Sequence, residues 1–303
     1  MKKWKIALIV VGLLVLAFVG YAGYQFFAVK DTISKITEEG VIDAPEKEIN
    51  VEPFTLLLLG IDQSEGDKGR SDTIILLSVN PETKTTKMLS IPRDTRTEIV
   101  GHGTTEKINH SYAYGGVKMT VDTVENFINV PIDYYATVNM ASFSSIVDTV
   151  GGIEVVNDME LKTDTHYFPK GKVKLDGADA LVFSRIRYED PRGDFGRQTR
   201  QRLVIEAIMA KAKNPKILLS INEVLDIAGD SIKTNLTSSD ITKFPKLYSK
   251  IGSSIEQLQF TKGTGEMIDG LWYYVTNDAE VKEVSDSLNA NLESNSSAAT
   301  QTN

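Results

Sequence analysis

"FTLLLLGIDQSEGDKGRSDTIILLSV", residues 54–79, sets two short apolar runs on either side of a polar loop. Runs of this length bounded by glycine, aspartate and serine are read as strands, and "TKMLSIP" (86–92) follows as a third. Working outward, the pattern changes period. "GGVKMTVDTVENFINV" (115–130) has helical spacing at Val117, Val121, Val124 and Ile128. "DYYATVN" (133–139) predicts a strand, "MASFSSIVDTVGG" (140–152) a helix stopped by Gly151-Gly152, and "IEVV" (153–156) another strand. "DGADALVFSRIR" (176–187) predicts a helix with Asp176 as N-cap, running towards Arg187. "QTRQRLVIEAIMAKAKN" (198–214) predicts a longer helix closed by Asn214-Pro215. Further helices are expected at 217–228 and 239–251, and a late strand within "EMIDGLWYYVTN" (266–277). Strands and helices interleave without repeats, which predicts an α/β domain over 54–280 with a mixed sheet flanked by helices. Residues 281–303 are expected to be a polar, partly disordered tail.

Ahead of this domain, "MKKWK" (1–5) precedes an uncharged run from Ile6 to Val29. As a helix the run would span roughly 36 Å, enough for a hydrocarbon core of about 30 Å. Lys2, Lys3 and Lys5 before it, against Lys30 and Asp31 behind it, predict a cytoplasmic N-terminus and an extracellular domain at the cell membrane. A cleavable signal peptide is the plainer alternative, but the run exceeds the usual signal length. Residues 30–53, with Pro45 and Pro53, read as an extracellular stalk. A net charge of −8 argues against nucleic-acid binding, so any anion must be held locally. The absence of cysteine excludes disulfides, thiolate nucleophiles and thiolate zinc sites. There is no glycine-rich dinucleotide fingerprint, and no Walker lysine follows the glycines of "GIDQSEGDKGRSD" (60–72).

The chemistry is concentrated in three polar stretches. Asp62 lies just past the first strand and Asp72 just before the second. If the strands are neighbours, the pair offers two carboxylates to a hard divalent cation, magnesium before manganese. The alternative is a surface hairpin whose aspartates cap turns. "LSIPRDTRTEI" (89–99) ends its strand at Pro92 and at once presents Arg93, Asp94 and Arg96. "SRIRYEDPRGDFGRQTRQR" (184–202) holds six of the nine arginines and no lysine, although the chain has 24 lysines. Guanidinium offers a planar fork that meets phosphate oxygens two at a time, whereas ammonium is a point charge. Each such bond to a charged group contributes roughly 1.5–3 kcal/mol, so this bias points to a bound pyrophosphate rather than to a solvated face. On one helix Arg185 and Arg187 diverge by roughly 200°, so one would meet the ligand while the other braces it. Arg197 and Arg200 are three apart and share a face at a helix start, where the dipole favours an anion. The apolar residues behind them, Leu203 to Met209 and "ILLSINEVLDIAG" (217–229), either pack on the sheet or line a groove for a lipid tail.

"LLLGID", "RSDTIILLSVNP", "LSIPRDT", "KINHSYAYGG", "VDTVGGIEV" and "LDGADALVFSRIRYEDPRGDFGRQTRQR" together resemble, in order, the signatures of the LytR-CpsA-Psr family. The resemblance covers Phe54 to about Lys213, with the membrane anchor in its expected place. It implies an α/β/α sandwich that transfers a glycopolymer, such as teichoic acid or capsule, from polyprenyl pyrophosphate to a muramic acid hydroxyl of peptidoglycan. It also implies that Asp62 and Asp72 bind magnesium and that Arg70, Arg93, Arg185, Arg187, Arg197, Gln198 and Arg200 surround the pyrophosphate. Lys107, Asn109 and Tyr114 look like supporting groups, with Lys107 counted among the pyrophosphate contacts. Arg93, Arg185 and Arg187 are the residues expected to catalyse, with Asp94 as the candidate base. A pyrophosphate hydrolase and a non-catalytic binder of lipid-linked polymer are the rival readings.

Overall fold

A computed structural model describes residues 37, 41–63, 68–212, 232–237, 239–241, 243, 246–247 and 255–293. The opening stretch forms strands β1 (Phe54–Asp62) and β2 (Arg70–Asn80), and β3 (Thr85–Ser90) follows across a tight turn. A small hairpin, β4 (Arg96–Ile99) with β5 (Thr104–Lys107), leads into helix α1 (His110–Ile128), and β6 (Tyr134–Asn139) leads into α2 (Met140–Thr149). Next come β7 (Ile153–Asn157), the short pair β8 (Leu161–Lys162) and β9 (Tyr167–Phe168), and β10 (Gly171–Leu175), which returns to β7. Helices α3 (Gly177–Arg185) and α4 (Asp194–Ala212) follow. The chain then runs through β11 (Ile232–Thr234), β12 (Ile255–Gln259), the hairpin β13 (Thr264–Ile268) and β14 (Leu271–Val275), and α5 (Asp278–Glu293).

Among the described residues the central sheet has the order β11-β6-β1-β2-β3-β12. β1 is parallel to β6 and β3 to β12, while the other neighbours are antiparallel, so the sheet is mixed. The near-continuous leucines of β1 serve both sides of it. Leu57, Leu59 and Ile61 pack with Val117, Val121 and Val124 of α1 and with Val284 and Leu288 of α5. Phe54, Leu56 and Leu58 face the other way, towards Ile205 of α4 and Leu236. A strand buried on both faces needs apolar residues at every position, which is why β1 does not alternate. A separate cluster joins α2, α3 and β7 through Val147, Val155, Phe183 and Ile186, with Val204 of α4. This lobe carries six of the nine arginines.

Two expectations need correction, and a third, the late strand, is met by β14 and extended. Residues 41–53 are not a free stalk: Ile49 is fully buried and Lys47 pairs with Asp133 at 2.7 Å. The polar tail begins later than 281, because 278–293 forms α5. Asp278, Lys282, Glu283, Asp286 and Glu293 are exposed, while Val284 and Leu288 recur at helical spacing and are buried together with Glu280, Ser285 and Asn291. Buried Asn291 also donates to the Ser78 carbonyl at 3.0 Å. The late strand is a hairpin turning at Asp269-Gly270, both with left-handed φ (51° and 78°), the conformation that a two-residue strand connection favours. The span at 6–29 and the helix at 217–228 lie outside the described residues, as does most of 239–251. Among the described residues, no helix is long and apolar enough to cross a membrane.

Candidate functional site

The site begins with an irregularity in the β1–β2 pair. Gly60 lies opposite Thr73 and Ile61 opposite Ser71, so Asp72 is the extra residue of a bulge. A bulge re-aims the side chain it inserts. Glycine is needed opposite, since a Cβ on Gly60 would stand 2.8 Å from the Thr73 Cβ. The freed carboxylate of Asp72 accepts from the Arg93 guanidinium, and from the Asn109 amide at 3.1 Å. Both partners come from segments that leave the sheet at this end: Ile91 makes the last bond to β2, through the Ile74 carbonyl, and the Asn109 backbone N–H donates to the Arg93 carbonyl at 3.3 Å. Burial works against the charge on Arg93, but Asp72, Asp94 and Asp194 outweigh it and raise its pKa.

The opposite wall comes from α3. Asp176 caps it as expected, accepting from the Asp179 N–H at 2.8 Å. The helix ends at Arg185, two residues earlier than its sequence suggests, and Ile186 is extended (φ −53°, ψ 131°). The helical divergence expected of Arg185 and Arg187 therefore does not apply, and both line one open cleft of about 380 Å³. Arg93, Thr163 and Glu189 add polar groups, and Val182, Ile186 and Tyr188 an apolar side. Arg185 reaches Asp62 at 3.0 Å, and Arg187 lies 5.6 Å from the ring of the exposed Tyr188. Of these residues Thr163, Val182, Ile186, Tyr188 and Glu189 were not candidates. Val182, Ile186, Tyr188 and Glu189 lie within or just before the arginine-bearing stretch but carry no signal of their own, and Thr163 is distant in sequence because the β8–β9 turn meets the end of α3 only in the fold.

The other candidates stand behind or beside the cleft. Arg197 is buried, 2.6 Å from Asp194, and its Nη2 donates to the Asp72 carbonyl at 3.4 Å. Gln198 donates to Asp194 at 2.9 Å. Arg200 does not share the direction of Arg197: it is 1% exposed and bonds to Asp190 and to the carbonyls of Phe183 and Ile186. An i, i+3 pair starts on one face, but these long side chains follow different carboxylates. Burial lowers the pKa of both, though an arginine stays cationic near neutral pH. Asp94, the candidate base, is buried and holds Lys107 at 2.7 Å, with Arg93 Nε at 3.7 Å. Arg70 is exposed and opens β2 opposite Asp62.

Two buried donors, Arg93 Nε and Arg197 Nε, have no hydrogen-bond partner among the described residues. A buried donor without a partner is costly. No group of three or more acidic or histidine side chains that could cage a metal occurs among the described residues. Asp62 and Asp72 instead present two carboxylates at one end of a strand pair, a donor set that fits magnesium completed by water and phosphate oxygens.

The LytR_cpsA_psr family pattern matches residues 23–290. The polyisoprenyl-teichoic acid–peptidoglycan teichoic acid transferase TagU of Bacillus subtilis (strain 168) is 44% identical over 292 residues, 94% of each chain. The crystal structure of B. subtilis TagU matches with a TM-score of 0.66 and 43% identity, over 80% of this chain and 97% of that one. A structure of TagT bound to LIIa-WTA matches at 0.69 and 35% identity, over 82% and 94%. With the pattern spanning nearly its whole length, the chain belongs to the LytR-CpsA-Psr family.

Proposed function

We propose that this chain is a membrane-anchored phosphotransferase that moves a teichoic-acid-type glycopolymer from polyprenyl pyrophosphate onto peptidoglycan. The observation that carries the reading is that Arg93, Arg185 and Arg187 line one cleft whose arginines reach Asp72 and Asp62. It is joined by the extent of the likeness to a transferase acting between those two partners. In the transfer, the muramic acid hydroxyl oxygen bonds to the polymer-side phosphorus. The bond from that phosphorus to the bridging oxygen breaks, and polyprenyl phosphate departs with the electron pair. The hydroxyl proton passes to water or to the leaving phosphate.

Phosphoryl transfer of this kind depends mainly on positioning and charge stabilisation. The guanidinium forks of Arg185, Arg187 and Arg93 would bind the two phosphates and spread the charge of the leaving group. Arg197 and Lys107 add positive charge from behind, held by Asp194 and Asp94. Asp94 serves best as an anchor for Lys107 and Arg93, because both cations already occupy its carboxylate. Asp62 and Asp72 would hold magnesium, which supplies further neutralisation of phosphate charge.

The test is incubation of the full-length protein in liposomes with lipid-linked teichoic acid precursor, magnesium and peptidoglycan glycan, followed by mass analysis. The expected product is glycan carrying polymer through a phosphodiester. Free polymer phosphate despite acceptor would identify a hydrolase, and binding without turnover a non-catalytic carrier. Either result overturns the transferase reading.

A further inference from the structure

We infer that Arg200 is a positioning residue: its guanidinium grips the backbone on both sides of Arg185 and so sets Arg185 and Arg187 towards the bound diphosphate. The inference rests on the reading of the cleft as a diphosphate site. A helix that stops leaves its last carbonyls without intrahelical donors. Helix α3 stops at Arg185, and Arg200 meets two of these carbonyls, donating from Nε to Phe183 at 3.0 Å and from Nη2 to Ile186. The third corner of the guanidinium donates to Asp190, whose side chain is fully buried.

Asp190 is itself fixed. It accepts from the Arg192 backbone N–H at 2.8 Å and from Arg192 Nε at 3.0 Å, and Arg192 in turn pairs with Asp158. Helix α4 presses directly on this carboxylate, for a Cβ on Gly196 would stand 2.0 Å from Asp190 Oδ2. The turn from α3 into the extended Ile186 is therefore clamped from inside by one planar side chain, and that turn places Arg185 and Arg187 in the same cleft. The task needs donors pointing three ways from a rigid plane, which arginine has and lysine lacks. It also explains a buried cation whose hydrogen bonds, among the described residues, go to Phe183, Asp190 and Ile186, of which only Ile186 lines the cleft.

Two measurements on the full chain test this. Calorimetry with inorganic pyrophosphate compares wild type, Arg200→Met, Arg200→Lys, the double variant Arg185→Ala/Arg187→Ala, and that double variant with Arg200→Met added. Hydrogen exchange follows the amides of residues 184–188. Both Arg200 variants should weaken pyrophosphate binding by about tenfold, the loss of one well-aimed charged contact. Arg200→Met should add nothing once Arg185 and Arg187 are gone. Exchange at 184–188 should accelerate while β1–β3 stay protected. Losses that add across the set, or full rescue by lysine, would make Arg200 a direct ligand and overturn the inference. Unchanged exchange in folded Arg200→Lys would overturn it whether or not pyrophosphate binds; absence of binding by wild type would instead overturn the reading of the cleft. Should Arg200→Met not fold, Arg200→Lys carries both measurements.

Discussion

Arg93 donates to Asp72 while its neighbour Asp94 holds Lys107, so one dipeptide ties β2 to β5. Replacing Arg93 by alanine should cut transfer by about 10²- to 10³-fold, the usual effect of removing one donor to developing negative charge. Steady-state kcat checks this, with thermal melting to show that the domain remains folded; undiminished turnover would remove Arg93 from the site. A second residue-scale consequence concerns acid stability. Burial raises the pKa of Asp190, but Arg192 and Arg200 outweigh it and hold the group down to about 2, from an ordinary 3.8. A depressed carboxylate contributes stability that is complete above its unfolded pKa, near pH 4, and lost as pH falls through 2. The shift corresponds to about 2 kcal/mol. Urea melts of Asp190→Asn should show that loss already at pH 7 and a flatter slope below pH 4; an unchanged slope would exclude Asp190 as its source. The bias towards arginine was legible in the sequence, and Arg93, Arg185 and Arg187 do line one cleft, but that Arg185 and Arg187 do so together was not legible, since their spacing on a helix would have parted them. The division between Arg197 and Arg200 was not, because it depends on which buried carboxylate each side chain finds.

Elements show the same division. The apolar runs of β1, β2 and β3 announced themselves, since strands covered on both faces leave little room for polar residues. The bulge that turns out Asp72 could not be read, because it is a property of pairing between two strands and not of either one alone. Helix α5 was missed for another reason: its serines, asparagines and acids outnumber its apolar residues, and only the spacing of Val284 and Leu288 reveals a buried face. Leu288 is fully buried among Leu57, Leu76 and their neighbours. Leu288→Ala should therefore destabilise the protein by about 2–5 kcal/mol, lowering the thermal midpoint while pyrophosphate affinity of the folded fraction stays constant. A midpoint within error of wild type would return this segment to the status of an appendage.

For the whole molecule, a chain of net charge −8 nevertheless carries a cationic cleft, so recognition of its anion is a local affair of short range. The anchor read in residues 6–29 would bring that cleft near lipid-borne substrate and raise its effective concentration without adding a contact. A chain lacking residues 1–36 should turn over a soluble short-chain donor as fast as the intact protein and fall behind on vesicles. Equal rates on both would leave the anchor without this role. The ion pair between Arg185 and Asp62 joins positions 123 residues apart. During synthesis the Asp62 carboxylate of β1 thus exists long before the Arg185 guanidinium that faces it, whereas Asp72 meets Arg93 only 21 residues on. A partly made polypeptide therefore lacks the wall that Arg185 and Arg187 supply, and the cleft is completed late.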